Sequence, residues 1–211
     1  MKNVKTTVKP TTKEELRKLI LETIKNEGNE CDLNFIDTSL ITDMSRLFQD
    51  LHDFNGKISN WDVSNVTDMH DMFFNALTFN QPLDNWDVSN VTDMAFMFAY
   101  TETFNQPLDT WNVSNVIGMC GMFDHAKSFN QPINSWDVSN NEIMNSMFNY
   151  AEAFNQPLDK WDVSNVGDMY RMFFNAESFN QQLDKWQVTD RTVTSDMFVG
   201  SNLKSLPEWF R

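Results

Sequence analysis

Apolar residues in this chain return on a 25-residue period, far longer than the periods of 2 or 3.6 that mark a single strand or helix. Trp61, Trp86, Trp111, Trp136, Trp161 and Trp186 stand 25 residues apart, and most bring the same neighbours: Phe-Asn-Gln before, Asp-Val-Ser-Asn-Val after, and Met-Phe further on. Within one unit, Trp86-Asp87-Val88 and Asn90-Val91-Thr92-Asp93-Met94 alternate in the manner of short strands, and Asn80-Gln81-Pro82 breaks the chain between units. Met94, Met97-Phe98 and Thr101 fall three or four apart, the spacing of a helical or 3₁₀ turn. A period of this size without insertion predicts an array in which each unit packs on its two neighbours. The expected fold is an α/β repeat: a right-handed solenoid of leucine-rich-repeat type, with short parallel strands, short helical turns, and columns of like side chains about 4.8 Å apart.

The pattern divides one structural domain into four stretches. Residues 1–10 carry Lys2, Lys5 and Lys9 with no apolar run, and are expected to be a mobile tail rather than a signal peptide. Thr11-Thr12-Lys13-Glu14-Glu15 offers two overlapping capping boxes, Leu16, Leu19, Ile20 and Ile24 form one apolar stripe, and Gly28 supplies a stop. Residues 11–28 should therefore be a helix lying across the open first turn of the array. Residues 29–199 hold the repeats, the first of them degenerate, with Ile36 in the tryptophan position. Residues 200–211 lose the period, and Leu203, Leu206, Trp209 and Phe210 form an apolar segment read as the opposite cap.

Two turns depart from the pattern. Asn141 and Arg191 stand where Val66 does, and Ile143 and Val193 appear two residues later, at the position of Asp68. A bulge or shifted register is expected at both, because Asn141 would otherwise lie unpaired in an apolar ladder.

Composition narrows the function. With 18 Phe, 13 Met and 7 Trp the chain can fill a long, thin core, and strictly repeated tryptophans suit that core better than a strip for stacking sugars. A net charge of −14 argues against nucleic acid as a partner. No apolar run approaches the roughly 20 residues that insert across a membrane. Cys31 and Cys120 sit in unrelated contexts and form neither a disulfide framework nor a metal pair. His52, His70 and His125 pair with no nucleophile, and serines that recur in every turn are explained by backbone bonding, so neither catalysis nor a cofactor is expected. Asp62, Asp87, Asp137 and Asp162 form one acidic column, and Asp84, Asp109, Asp159 and Asp184 a second. Calcium between turns is one way to hold such columns, but six glycines cannot supply glycine-rich calcium loops, and turn capping is the ordinary use of Asp there.

The repeat Met-Phe…Ala…Phe-Asn-Gln…Leu…Trp-Asp-Val-Ser-Asn-Val-Thr-Asp-Met, with the lead-in Cys31-Asp32-Leu33-Asn34-Phe35-Ile36-Asp37, resembles that of BspA-like leucine-rich-repeat surface proteins. It is similar also to the mycoplasma-type lipoprotein repeats of unknown function, and the likeness runs over about residues 29–198. The resemblance implies a secreted or surface-displayed module that binds host or neighbouring-cell proteins.

Function should lie where the repeats differ. Four columns vary: His70, Ala95, Cys120, Asn145, Tyr170; then Asp71, Phe96, Gly121, Ser146, Arg171; then Phe74, Ala99, Asp124, Asn149, Phe174; and Asn75, Tyr100, His125, Tyr150, Asn175. Columns that accept charge are expected to face solvent. Tyr100, His125 and Tyr150 would then form an exposed stripe about 10 Å long, with Phe96 and Tyr170 as further candidate ligand-binding residues. These observations point to a monomeric, non-catalytic module that binds an extracellular-matrix or cell-surface protein. A carbohydrate-binding module, which would need the tryptophan column exposed, is the alternative, and a passive spacer is the third reading.

Overall fold

The computed structural model describes residues 6–210. Its single described helix, α1 (Lys13–Glu27), begins and ends on the expected signals. The Thr12 hydroxyl accepts the Glu15 N–H at 3.2 Å, and the Glu15 carboxylate reaches back to the Thr11 N–H at 2.8 Å. Gly28 closes the helix at φ 89°, its N–H on the Ile24 carbonyl at 2.8 Å. Leu16 and Ile20 are fully buried in the same core as the first repeat.

Beyond α1, the α/β solenoid of strands and helical turns expected from the pattern does not form. Among the described residues there is no second helix and no continuous strand; the units are joined by isolated parallel bridges, such as Asp43–Asp68, Asp68–Asp93 and Asp93–Gly118. The hydrogen bonds give the reason. The N–H groups of Met69, Asp71, Phe73 and Asn75 go to the carbonyls of Asp93, Ala95, Met97 and Ala99 in the next unit, at 2.8–3.0 Å. Those of Met72, Phe74 and Ala76 go back three residues, to Met69, Asp71 and Phe73. Alternate donors therefore bind units together while the rest close β-turns, which leaves neither a strand nor a helix. Asp71 and Asn75, at the third position of their turns, take φ 54° and 59°, as type II turns require. The three- and four-residue apolar spacing belongs to these consecutive turns.

Like side chains stack along the array. Phe48, Phe73, Phe98, Phe123, Phe148, Phe173 and Phe198 follow one another with ring centroids 5.2–5.8 Å apart. Trp61 through Trp186 are only 2–4% exposed, and each indole N–H donates to a backbone carbonyl of the preceding unit at 2.9–3.3 Å. The tryptophans are core, and each carries its own polar partner. Asparagines make a polar column beside them: the side-chain oxygens of Asn55, Asn80, Asn105, Asn130 and Asn155 each accept the N–H of the next asparagine at 2.9–3.0 Å. Asp62, Asp87, Asp137 and Asp162 accept the N–H of the serine two residues on, at 3.0–3.1 Å. In Asp87 and Asp162 the serine hydroxyl and N–H hold the carboxyl below its usual range. This acidic column caps turns.

The two irregular turns behave differently from one another. At Asn141 there is no bulge: its N–H bonds the Val138 carbonyl at 2.9 Å, as Val116 bonds Val113, and the Glu142 N–H bonds Ile117 in normal register. Asn141 is fully buried, its Nδ2 on the Val116 carbonyl at 3.4 Å and its Oδ1 without a partner, while Ile143 points outward. At Arg191 the register does slip, with Val193 rather than Thr192 donating to the Gly167 carbonyl, at 3.0 Å.

Both ends of the array are covered. Val8 pairs with the first repeat, its N–H on the Phe35 carbonyl at 3.1 Å and its carbonyl accepting from Asp37 at 2.8 Å. The part of the expected mobile tail from residue 6 onward is thus tied down, and residues 1–5 lie outside the described residues. At the far end Trp209 stacks on Trp186 at 6.2 Å and donates to the Leu183 carbonyl at 2.8 Å, continuing the tryptophan column. Leu206 does not join it and is 57% exposed.

Arg17 of α1 donates to the carbonyls of Leu47 and Gln49, the counterparts of Met97 and Ala99 that elsewhere accept from a preceding unit. It stands in for the donors of a unit that is not there. Replacing Arg17 by Met, which keeps the aliphatic stem, should lower stability by about 2 kcal/mol, read as a fall of several degrees in melting temperature. An unchanged melting temperature would contradict this role.

Candidate functional site

Each unit contains two positions in the left-handed region. One column runs Arg46, Asp71, Phe96, Gly121, Ser146, Arg171, Asp196; the other runs Asp50, Asn75, Tyr100, His125, Tyr150, Asn175, Gly200. The non-glycine members lie at φ 52–60°. Gly accepts this conformation readily and Asn, Asp and His more readily than other residues, whereas a bulky residue such as Tyr pays roughly 1–2 kcal/mol for it. The second column keeps tolerant residues toward both ends and holds Tyr100, His125 and Tyr150 in three successive turns between them. Tyr100 and Tyr150, two of the five candidate residues, therefore stand against a backbone preference that the outer turns respect, with His125 between them.

The stack brings them together. The Tyr100 and His125 rings lie 4.4 Å apart at 11°, and His125 and Tyr150 lie 4.5 Å apart at 20°. Phe74 meets Tyr100 edge-on at 5.6 Å, and Phe174 tilts against Tyr150 at 5.7 Å. Arg171 ends the ribbon, its guanidinium 4.7 Å from the Phe174 ring centroid and 5.0 Å from that of Tyr170. Tyr170 thus joins the ribbon through Arg171. Phe96 does not join it: its ring packs over Gly121, where a Cβ would stand 2.3 Å from the Phe96 Cε1, so that Gly121 meets both a backbone and a steric demand.

Tyr100 is 36% exposed, and His125 and Tyr150 are half-buried. Ring faces lie against one another, so edges, hydroxyls and the imidazole Nε2 are what the ribbon offers to a partner. Beneath it, the Asp124 carboxylate lies 2.6 Å from the His125 Nδ1 and accepts from the Asn149 Nδ2 at 2.8 Å. Burial raises the Asp124 carboxyl above its usual range despite these bonds. Burial, then the Asp124 charge, raises the Tyr100 phenol. The carboxylate favours the tautomer with the proton on Nδ1, which leaves Nε2 as the outward acceptor. Phe74, Phe174, Arg171 and Asp124 were not singled out from the sequence. All four sit in the variable columns, and their place beside the tyrosines could have been found by stacking the units.

One group of metal-ligating side chains was missed altogether. Asp68, His70 and Asp93 bring one ligand atom each within 4.8 Å of one another. Asp68 caps the His70 N–H at 3.0 Å and bonds its Nδ1 at 2.8 Å, and Asp93 caps the Ala95 N–H at 2.9 Å. Three half-exposed donors already engaged in this way are explained as turn caps.

A left-handed position carrying an aromatic makes a testable claim about stability. His125→Gly and His125→Ala both lose the two stacking contacts, but only Gly relieves the positive φ. The Gly variant should be more stable than the Ala variant by about 1 kcal/mol, a melting-temperature difference of about 2–4 °C in a chain of this size. An Ala variant of equal or greater stability would sink the strain argument.

The family whose pattern matches the chain is described as "Mycoplasma protein of unknown function, DUF285", over residues 19–125 and again over residues 106–209. No curated protein and no solved structure matches. Two overlapping matches span the later part of the helix, every repeat and the aromatic ribbon, and the chain accordingly belongs to this mycoplasma repeat family of unknown function.

Proposed function

We propose that the chain is a non-catalytic protein-binding module whose contact surface is the Tyr100–His125–Tyr150 ribbon. The observation that carries this reading is the placing of three large aromatics, in successive turns, at backbone positions that neighbouring turns fill with Asp, Asn or Gly. A passive spacer has no use for three stacked rings at these positions, and strain such as that of Tyr100 and Tyr150 gathers where function demands it. Tyr and His present apolar edges with polar tips, which suits a protein partner. Sugar binding is the weaker reading, since the tryptophans are buried with their indole N–H groups engaged, and the ribbon's ring faces are covered by one another.

The likeness to BspA-like surface repeats supports an extracellular-matrix or cell-surface protein as the partner, and secretion or surface display of a monomeric module. The net charge of −14 disfavours nucleic acid. Among the described residues no helix is long and apolar enough to cross a membrane.

A pull-down from extracellular-matrix and cell-surface proteins tests the proposal, using wild type and a Tyr100→Ala, Tyr150→Ala double variant shown to fold. Capture of a protein by wild type and its loss in the variant is the expected result. Equal capture by both would place recognition on another surface, and no capture by either would favour the spacer.

A further inference from the structure

The repeat motif Ser-Asn-Val-Thr-Asp-Met, intact at 64–69 and 89–94, is altered in the three units that follow. It becomes Ser114-Asn115-Val116-Ile117-Gly118-Met119, then Ser139-Asn140-Asn141-Glu142-Ile143-Met144, then Ser164-Asn165-Val166-Gly167-Asp168-Met169. Between the last two of these turns lies a shallow cavity of about 530 Å³, broadly open to solvent and lined by Asn140, Glu142, Ile143, Asn165, Gly167 and Asp168.

The fold does not require this cavity. Gly167 has no positive φ, and a Cβ there would come no closer than 3.8 Å to its nearest neighbour, the Glu142 carbonyl. Thr67 and Thr92 occupy the same position in other turns, their hydroxyls bonded to the preceding unit. A glycine that neither backbone nor packing demands leaves room for a group from outside. Ile143, where Asp68 and Asp93 stand in other units, is 43% exposed and forms an apolar wall.

The polar lining offers acceptors. Asn140 and Asn165 each donate one amide N–H to the Ser114 and Ser139 carbonyls, at 2.8 and 2.6 Å, and keep the side-chain oxygen as an acceptor beside one further N–H. Asp168 uses one carboxylate oxygen to cap the Tyr170 N–H at 2.9 Å. Arg171 pairs with Asp196, and no ion pair with a cation of this chain is seen for Glu142 or Asp168 among the described residues.

We propose that this cavity holds a lysine side chain of a protein partner, with its stem along Ile143 and its ammonium among Glu142, Asp168 and the two amide oxygens. Charge complementarity carries the choice: two carboxylates and two amide oxygens, on a chain of net charge −14, face a space with an aliphatic wall. Lysine fits better than arginine because three of the four acceptors, Asp168 and the two amides, each present a single oxygen on a separate residue, and only Glu142 offers a paired set. A compact ammonium with three rotatable donors meets such a set, whereas a guanidinium calls for paired oxygens on one group. The site is independent of the aromatic ribbon and stands whether or not the ribbon binds protein.

The test is an NMR titration of the ¹⁵N-labelled whole chain with acetyl-Gly-Lys-Gly-amide, and in parallel with the norleucine and arginine analogues. The lysine peptide should shift the Gly167 and Ile143 amides saturably in the millimolar range, and the norleucine peptide should not. Gly167→Thr, which restores the residue of other turns, should abolish the shift while leaving the melting temperature unchanged. Glu142→Gln should weaken binding about tenfold. Four results would overturn the proposal: the same saturable shift with norleucine, tighter binding of the arginine peptide, no saturation with lysine, or undiminished binding by Gly167→Thr.

Discussion

Each unit but the last gives alternate backbone N–H groups of its Met-Phe segment to the unit that follows it, and the rest of the structure depends on that directed ladder. The donation sets units one above another at a fixed register, so a side chain that suits one turn suits all of them, and columns of Phe, Trp, Met and Asn result. It also makes the two ends unlike. The first repeat shows carbonyls with no preceding unit to fill them, and Arg17 of α1 fills two. At the other end Trp209 extends the tryptophan column by one ring. An array built on nearest-neighbour bonds of this kind has a stability that is approximately a sum over units and interfaces.

The same bonding fixes where variation is possible. Closing turns between inter-unit bonds forces two residues per unit into the left-handed region, and both of those columns are variable in sequence. Most units fill the second with residues that tolerate the conformation. The middle units place Tyr100, His125 and Tyr150 there, and mutual stacking at 4.4–4.5 Å, worth about 0.5–1.5 kcal/mol per pair, offsets part of the strain. On the adjacent bridge-forming column the middle units depart again, with Ile143 for Asp and, one residue earlier in the next turn, Gly167 for Thr. Both surfaces argued to bind therefore lie where a repeat stops conforming.

Much of this was legible in the sequence because a repeat states its own rules. The 25-residue period gave the stacking, the capping residues Thr12 and Gly28 gave the bounds of α1, and the strictness of the tryptophans gave their burial. The aromatic stripe at Tyr100, His125 and Tyr150 followed from column-by-column comparison. Secondary structure was not legible, because apolar residues three and four apart describe successive β-turns as well as a helix, and the alternation of donors leaves no trace in residue types. Asn141 was misjudged for a related reason: pattern alone assigns the interior to Ile143, but register is held by the backbone bonds of Glu142 and Met144, and the amide finds one carbonyl inside. Val8 carries no periodic signal, and its pairing with Phe35 and Asp37 shows only in the structure.

Amide hydrogen exchange tests the directed ladder most directly. The N–H groups of Phe98, Phe123 and Phe148 are donated to the carbonyls of Met122, Met147 and Met172 in the following unit, while Phe198 is the counterpart with no such acceptor. The account requires Phe98, Phe123 and Phe148 to exchange among the slowest amides of the chain and Phe198 to exchange orders of magnitude faster, although all four rings are buried in the core column, Phe198 at 7% exposure. Equal exchange at Phe123 and Phe198 would mean that burial rather than inter-unit donation protects these amides, and the central claim would fail.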